Sequence, residues 1–231
     1  MSVRIWNGSN GDYADPTRWN GSAPPQSGDT AEIPAGSVSV THGLSIGSQT
    51  PSGSGVPGSL NIAMGGHAQF HLKSAAIEFA GSTFGVSGPA TTAFVNDGTF
   101  SDFGGSADFA APVTGSGTFD FERGKFLASH GVFENSVGSG TSVIVGASST
   151  VALADPAHVA AAISLRPFAQ LVLENTHATS STYAGGTLHL SDGGKQVAAL
   201  NISAPAGYNF AMSQAGANLV ITSVLGPSAL A

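Results

Sequence analysis

The stretch GSGTSVIVGASSTVALAD, residues 138–155, contains two short runs in which apolar and small residues alternate. The runs are TSVIVG at 141–146 and STVALA at 149–154, and Gly, Ser or Asp flank both of them. Alternation with a period of two residues is typical of a β-strand that buries one face. The stretch therefore predicts a strand, a turn and a second strand.

The same alternation recurs along most of the chain. It is found in SVSV (37–40), SLNIAM (59–64), AQFHL (68–72), IEFAG (77–81), TFDFE (118–122), AQLVLEN (169–175), GTLHLS (186–191), QVAALNIS (196–203) and NLVITS (218–223). Turn signals such as NDG at 96–98 and SDGG at 191–194 lie between these runs. Asn, Asp and Gly tolerate the positive φ of tight turns, so the pattern predicts an all-β protein.

The apolar peaks between about residues 30 and 153 recur with a spacing of roughly 16 to 24 residues, which is the length of one solenoid coil. Gly-rich corners separate them, as in GSGTFDFERGKFLASHGVFEN at 115–135. We therefore expect a right-handed parallel β-solenoid, or β-helix. The alternative is an antiparallel β-sandwich or jelly roll, which the same turns also fit.

One segment departs from the strand pattern. In DPAHVAAAIS, residues 155–164, Asp155 can act as a helix N-cap and Pro156 occupies the first helical position before a run of Ala. A single short helix near 156–164 is predicted. The chain then divides into an N-terminal cap or docking segment (1–36), a solenoid body (37–154) and a C-terminal region of helix and β module (155–231).

Composition limits the classes of partner. The chain has 231 residues, of which 41% are hydrophobic and 9% charged, and its formal net charge is −7. Seven Lys and Arg residues are scattered singly from Arg4 to Lys195. Nucleic acids and anionic membranes require clustered cations, so neither partner is expected. No apolar run approaches the ~20 residues of a membrane span.

The composition also bears on location. Low charge, abundant Gly, Ser and Thr, and the absence of Cys are typical of an extracellular protein. The opening residues MSVRIWNGSNG have no apolar stretch, which a cleavable secretory signal would require. We expect an extracellular or cell-surface protein, secreted without an N-terminal signal peptide. Its targeting information is expected in NLVITSVLGPSALA, residues 218–231.

Aromatic residues and prolines mark the candidate ends of the solenoid. Trp6 and Trp19 are large enough to close an open apolar interior, and Pro24 with Pro25 prevents the following loop from pairing as a strand. The candidate capping or assembly residues are Trp6, Tyr13, Trp19, Pro24, Pro25 and Tyr208. The aromatic members of this set are also candidates for stacking on carbohydrate.

Two segments carry a resemblance to known proteins. WNGSNGDYADPTRWNGSAPPQSGDTAEIPAGSVSV, residues 6–40, resembles the opening of bacterial autotransporter-type passenger repeats. GGTLHLSDGGKQVAALNISAPAGYNFAMSQAGANLVITS, residues 185–223, is similar to a module at the ends of large exported repeat proteins of proteobacteria. The resemblance implies a secreted β-solenoid surface protein with no particular activity. The calcium-binding nonapeptide GGxGxDxxx is absent from the sequence, so calcium-driven folding is not expected.

Candidate chemistry is limited to carboxylates and isolated histidines. Residues one coil apart stack, so Asp97 or Asp102 can lie near Asp120 or Glu122, with Arg123 and Lys125 adjacent in sequence. Such a face is the arrangement that glycan-cleaving solenoid enzymes use. The alternative is that these residues form turns and solvate a charge-poor surface. The seven histidines are not spaced as metal ligands, and no cofactor is expected.

These observations predict a non-enzymatic structural protein of the bacterial exterior. Its expected partner is itself, with copies associating end to end into a filament, layer or matrix. The alternative is a carbohydrate-binding adhesin or phage-tail-type protein, with an extracellular polysaccharide as partner and glycan cleavage on the face that contains Asp97, Asp102, Asp120 and Glu122.

Overall fold

A computed structural model describes residues 2–26, 28–42, 44–46, 59–122 and 129–226. The protein is 3% helical and 56% strand, which confirms the all-β prediction. Arg123, Lys125 and residues 227–231 of the expected targeting stretch lie outside the described residues. No helix in the described part of the chain is long and apolar enough to span a membrane.

The strands are short and follow one another closely. The first twelve are β1 (Val3–Ile5), β2 (Gly11–Asp12), β3 (Thr30–Ile33), β4 (Ser37–Val40), β5 (Leu44–Ile46), β6 (Ser59–Met64), β7 (Gln69–Leu72), β8 (Ala76–Ala80), β9 (Thr83–Ser87), β10 (Ala93–Asn96), β11 (Thr99–Phe103) and β12 (Ser106–Phe109). They are followed by β13 (Val113–Thr114), β14 (Thr118–Glu122), β15 (His130–Phe133), β16 (Ser142–Val145), β17 (Thr150–Leu153), β18 (Ala162–Leu165), β19 (Gln170–Leu173), β20 (Ser180–Ala184), β21 (Thr187–Asp192), β22 (Lys195–Ser203), β23 (Tyr208–Ala215) and β24 (Asn218–Leu225). Two single 3-10 turns, Pro16–Arg18 and Pro156–His158, interrupt them.

The strands form three sheets. Sheet I has the order β1-β3-β6-β9-β12-β15-β17-β19-β24-β23, sheet II the order β2-β4-β7-β10-β13, and sheet III the order β5-β8-β11-β14-β16-β18-β22-β21-β20. From β3 to β14 successive strands enter the three sheets in turn, since β6, β7 and β8 belong to sheets I, II and III and β9, β10 and β11 repeat that order. We call each such set of three strands a rung. From β15 to β19 the strands alternate between sheets I and III.

Neighbouring rungs pair in parallel and in register. In sheet I, Ser59 pairs with Thr83, Thr83 with Ser106 and Ser106 with His130, so the steps are 24, 23 and 24 residues. The chain visits the other two sheets before it returns to the first, so each new strand runs in the same direction as the previous one. An antiparallel sandwich or jelly roll is therefore wrong for this part of the chain.

Among the named strands of the described residues, antiparallel pairing occurs in the C-terminal region, and one isolated antiparallel bridge joins Trp6 to Trp19 near the N-terminus. In the C-terminal region β24 pairs with β19 and β23, and β21 pairs with β20 and β22. The turn SDGG at 191–194 joins β21 to β22 as a hairpin. By contrast NDG at 96–98 is a corner between β10 of sheet II and β11 of sheet III, where the Asn96 Oδ1 accepts a hydrogen bond from the Gly98 N–H at 3.0 Å.

The predicted helix at 156–164 is wrong beyond its first turn. Only Pro156–His158 is helical, and Asp155 makes no side-chain capping bond. β18 begins at Ala162 and pairs in parallel with β16. Ile163 and Leu165 of β18 are buried, and burial of this alternating pair outweighs the high helix propensity of a run of only three Ala residues. The parallel stack therefore continues past residue 154, the boundary expected from sequence.

The interior of the stack is rich in phenylalanine. Among the described side chains, eight fully buried phenylalanine rings lie in it, namely Phe70, Phe84, Phe94, Phe100, Phe109, Phe119, Phe121 and Phe133. The centroid of Phe109 lies 5.0 Å from that of Phe119 and 5.1 Å from that of Phe133. These are the distances at which aromatic pairs attract beyond simple burial. Val, Ile and Leu take the inward positions of the later strands β16 to β19.

Gly131 shows that side chains from different sheets compete for the same volume of the interior. It occupies an inward position of β15, between Ala107 and Val151 in the stack. A Cβ atom added to Gly131 would lie 2.5 Å from Cε1 of Phe121, a ring that belongs to sheet III. The large ring in one sheet therefore requires the absence of a side chain in another.

We expect Gly131→Ala to destabilise the fold by about 1–3 kcal/mol, because the new methyl group overpacks the interior. Phe121→Leu shortens the opposing side chain, so the double variant should be less destabilised than the sum of the two single variants. Urea unfolding of all four proteins measures this coupling. Gly138→Ala is the control, because its nearest neighbours lie at an ordinary 3.6 Å. Additive free energies of unfolding would contradict the proposed competition for space.

Candidate functional site

The aromatic residues of the N-terminal segment form one buried cluster. The Trp19 ring lies 4.9 Å from Trp6 and 5.4 Å from Tyr13, and Tyr13 lies 6.0 Å from Phe70 of β7. Trp6, Tyr13 and Trp19 are all buried, so their faces cannot stack on a sugar ring. The cluster is continuous with the phenylalanine interior through Phe70.

Hydrogen bonds hold this cluster in place. The Trp19 Nε1–H donates to the Tyr13 carbonyl at 2.8 Å, and the Tyr13 hydroxyl donates to the Pro25 carbonyl at 2.9 Å. Burial, with a smaller effect from the Asp29 charge, raises the pKa of Tyr13 well above its usual value. The phenol therefore stays a neutral donor. Pro24 and Pro25 line a groove of about 150 Å³ beside it.

Asn20 covers part of the outer edge of β1. Its Oδ1 accepts a hydrogen bond from the Ile5 N–H at 2.7 Å, and its own N–H donates to the Ile5 carbonyl at 3.0 Å. These are the two backbone groups of Ile5 that another strand would need for pairing. The N-terminal edge of sheet I is thus closed at Ile5 by the protein's own loop.

Asp29 ties the start of the chain to the loop before β3. Its Oδ1 accepts from the Ser2 N–H at 2.8 Å and the Ser2 hydroxyl at 2.7 Å, and its Oδ2 lies 3.8 Å from Arg4 Nε. The Ser2 hydroxyl bond is the largest of the effects that lower the pKa of Asp29. The Gly28–Asp29 step before β3 is thus a hydrogen-bonded anchor, and β3 begins at Thr30.

The four candidate catalytic carboxylates do not form a single face. Asp102 shares the inward side of sheet III with Phe121, with which it is paired, whereas Asp120 is paired with Ser101 and points outward together with Glu122. Asp97 lies at the corner before β11. The expected stacking of Asp102 near Asp120 on one surface is wrong, because the side-chain parity of β11 places Asp102 inside.

Asp97 is held in local hydrogen bonds. Its Oδ1 accepts from the Ser116 N–H at 2.9 Å, and its Oδ2 lies 2.7 Å from Nε2 of His71 on β7. The Ser116 backbone bond is the main reason that the pKa of Asp97 lies below its usual range, and His71 adds to it. Asp97 links three successive rungs of the stack at a corner.

Asp102 is a carboxyl group in the protein interior. Its side chain is 0% exposed, and its Oδ1 accepts a hydrogen bond from the Gly105 N–H at 2.6 Å. The Oδ2 atom has no hydrogen-bond partner among the residues that the structure describes. Burial raises the pKa of Asp102 to about 7. Burial also raises the pKa of Asp120, to about 6, and the nearby Glu122 charge contributes.

A different aromatic surface lies at the opposite end of sheet I from β1. Phe168 contacts Tyr208 with ring centroids 5.9 Å apart, and Tyr183 contacts Phe210 at 5.2 Å. Phe168 is 52% exposed and Tyr183 is 51% exposed. Tyr208 lies on β23, which is at the opposite end of sheet I from β1. It is therefore separate from Trp6, Tyr13 and Trp19, although all four are candidate capping residues in the sequence.

A groove of about 300 Å³ runs between the two outermost strands of this end, β20 of sheet III and β23 of sheet I. Its lining consists of Ser181, Tyr183, Leu188, Ala204, Tyr208, Asn209 and Phe210, and none of these residues is charged. The Tyr183 hydroxyl donates to the Ile202 carbonyl at 3.0 Å, which fixes the ring. We call this set the C-terminal groove.

Sequence reasoning missed Asn20, Tyr183 and Phe210. Asn20 occurs in a WNG turn that resembles any other turn signal. Tyr183 precedes the Gly185–Gly186 turn of a hairpin, and Tyr208 and Phe210 share one face of β23. The contact between Tyr183 and Phe210 joins strands of two different sheets, so no local sequence signal indicates it.

Within the described ranges, no group of three or more His, Asp or Glu residues is placed to hold a metal ion. No protein-family model matches the chain, and no curated protein sequence matches it significantly. Any function must therefore be inferred from the geometry of the cluster, the carboxylates and the C-terminal groove.

The buried carboxyl of Asp102 predicts a specific dependence of stability on pH. The unfolded state ionises Asp102 near its ordinary pKa of about 3.9, whereas the folded state keeps the proton up to about pH 7. The contribution of Asp102 to the free energy of unfolding therefore falls as pH rises through this window, by up to about 4 kcal/mol. Asp102→Asn should match the parent protein near pH 4 and exceed its stability at pH 8.

Urea unfolding at both pH values measures this difference, and a difference that does not vary with pH would exclude the assignment. Asp97→Asn is the control of opposite sign. The pKa of Asp97 is lowered by folding, so its contribution is present above the unfolded pKa and lost as pH falls. Asp97→Asn should be less stable than the parent at pH 8, and this deficit should shrink in acid.

Proposed function

We propose that this protein is a non-enzymatic structural component of the bacterial exterior, built as a right-handed parallel β-solenoid whose copies associate end to end into a filament, layer or matrix. The observation that carries the proposal is the unequal treatment of the two ends. At the β1 edge Asn20 takes both backbone groups of Ile5, whereas the outer edges of β20 and β23 at the other end have no paired strand among the described residues.

The strand order supports a solenoid. From β3 to β14 the strands enter sheets I, II and III in rotation, and the in-register step of 24, 23 and 24 residues in sheet I is the length of one coil. Right-handed winding is expected, because parallel strands joined by a crossover in one sheet are right-handed in about 98% of cases. In this proposal the cluster of Trp6, Tyr13 and Trp19 caps the first coil.

The composition of the outermost strands supports association. β20 has the sequence SSTYA and β23 the sequence YNFAMSQA, and neither contains a charged residue or a proline. Charges and prolines are the residues that natural proteins place on edge strands to prevent pairing with other chains. Their absence from both strands favours association at this end.

An exterior location is supported by the composition of the chain and by its resemblance to autotransporter-type passengers. Only 9% of the residues are charged, and no residue is a cysteine. A non-enzymatic role is favoured by the arrangement of the carboxylates: Asp97 is engaged by Ser116 and His71, and Asp102 faces the interior. Neither groove includes Asp97, Asp102, Asp120 or Glu122.

The proposal predicts that the purified protein forms assemblies whose size grows with protein concentration. Negative-stain microscopy and analytical ultracentrifugation across a concentration series measure this growth, and a glycan-release assay is run on the same samples. We expect assemblies without sugar release. A protein that stays monomeric and cleaves a polysaccharide would contradict the proposal.

A second candidate function is polysaccharide binding at the C-terminal groove. The half-exposed ring of Tyr183 and the neighbouring Tyr208 can stack on sugar rings, while Asn209 and Ser181 offer hydrogen-bonding groups. A neutral groove of this kind suits an uncharged glycan. Trp6, Tyr13 and Trp19 do not contribute, because they are buried.

For this candidate we expect Tyr208→Ala to weaken binding of a neutral polysaccharide about fivefold, which corresponds to about 1 kcal/mol for one stacked ring. Affinity electrophoresis against a panel of neutral glycans measures the change. Val3→Ala is the control, because Val3 is an exposed apolar residue on β1, at the opposite end of sheet I from the groove. Equal retardation of all three proteins would exclude a binding site in the groove.

A further inference from the structure

We propose that two copies of this protein join tail to tail, with β23 of one copy pairing antiparallel to β23 of the other around a two-fold axis at Met212. This inference rests on the proposed function only for the premise that copies associate through their ends. It specifies which edge pairs, with what partner and in which register.

The outer edge of β23 presents free backbone groups. In the hairpin with β24, the Gly226 N–H donates to the Gly207 carbonyl, so Asn209, Ala211 and Ser213 bond to β24 and the residues between them face outward. The outward N–H of Tyr208 turns to the Pro205 carbonyl. The outward groups of Phe210, Met212 and Gln214 have no backbone partner among the described residues.

These free groups are self-complementary. A two-fold axis at Met212 places Met212 opposite Met212 of the second copy. It also places Phe210 of each copy opposite Gln214 of the other, so three residue pairs form. Each pair exchanges two backbone hydrogen bonds, which gives about six in total. No charge lies in β23, so no like charges face each other despite a net charge of −7 on each copy. Phe210 and Met212 are packed against the core, so pairing would continue an apolar row across the axis.

The other end of sheet I is a poorer partner for β23. β1 has three residues, and Asn20 already occupies both backbone groups of Ile5. β23 has eight residues and no such cover among the described residues. A long free edge therefore pairs better with the same edge of a second copy than with β1. An isologous contact of this kind closes as a dimer, so the dimer is the unit of the proposed assembly and growth beyond it requires a second contact elsewhere on the two copies.

The first test is Met212→Pro. Because the Met212 N–H points away from β24, proline removes a donor from the proposed contact without removing one from the hairpin, as edge strands tolerate. We expect the dimer dissociation constant to rise at least about a hundredfold. Val3→Pro is the matched control on the β1 edge. Thr30 bonds the Ser2 carbonyl and Trp6 bonds Glu32, so the Val3 N–H also points outward.

A pair of charge variants tests the register without proline. In the proposed pairing the exposed residue Ala211 lies opposite the exposed Ser213 of the second copy. Ala211→Lys with Ser213→Lys places like charges opposite each other and should abolish dimers at low salt, with partial recovery at high salt. Ala211→Lys with Ser213→Glu places opposite charges there and should keep or strengthen the dimer. Circular dichroism checks that every variant is folded.

Sedimentation velocity over a concentration series separates the outcomes. The tail-to-tail contact is established if two results are found together. Dimers are lost in Met212→Pro and in the double-lysine variant, and they are kept in Val3→Pro and in the lysine–glutamate variant. Assembly lost in Val3→Pro but kept in folded Met212→Pro overturns this inference and leaves the proposed function in place. A protein that is monomeric at every concentration overturns both.

Discussion

The in-register stacking of parallel strands is the constraint on which the rest of this structure depends. Each inward side chain lies directly on its counterpart in the next rung, as Phe100 does on Phe119 and Phe109 on Phe133. Three sheets share one interior, so a ring in one sheet limits the side chains of the others, and Gly131 is small because Phe121 is large. The stack gains aromatic contacts and burial from every rung, but it tolerates little change in volume at any inward position.

A stack of rungs also has two ends, and this protein treats them differently. At β1 the aromatic cluster joins the interior through Phe70, and Asn20 takes up the edge hydrogen bonds of Ile5. At the other end the parallel order stops, and the hairpins β20–β21 and β23–β24 place uncharged edge strands on either side of the C-terminal groove. The proposed association and the alternative glycan site both depend on this asymmetry and not on any cluster of reactive groups.

Several buried polar groups form hydrogen bonds at corners, where the backbone leaves one sheet for the next. The Asn96 Oδ1 accepts a hydrogen bond from the Gly98 N–H at one corner, and the Asp102 Oδ1 accepts one from the Gly105 N–H at another. Asp102 differs from Asn96 in carrying a titratable group, and its burial makes the stability of the fold depend on pH near neutrality. The Asp102 carboxyl group supplies the hydrogen-bond acceptor for the Gly105 N–H at this corner. Burial of a charged carboxylate would cost free energy, and the folded protein avoids that cost because Asp102 stays protonated.

The sequence by itself determined many of the strands, since alternation is a local property: SVSV, SLNIAM and TFDFE coincide with β4, β6 and β14 residue for residue. It also indicated the burial-prone aromatic residues Trp6 and Trp19. Only the tertiary structure decided that NDG at 96–98 is a corner while SDGG at 191–194 is a hairpin, because the two turns have the same chemistry and differ in which sheet receives the next strand. Likewise residues 162–165 form β18 and not the expected helix, because they pair in parallel with β16. The side chain of Asp102 lies inside because β11 pairs with β14 in the register that places Asp102 beside the inward Phe121. Pairing between residues some twenty positions apart carries no local signal, so only the assembled sheets could settle these points.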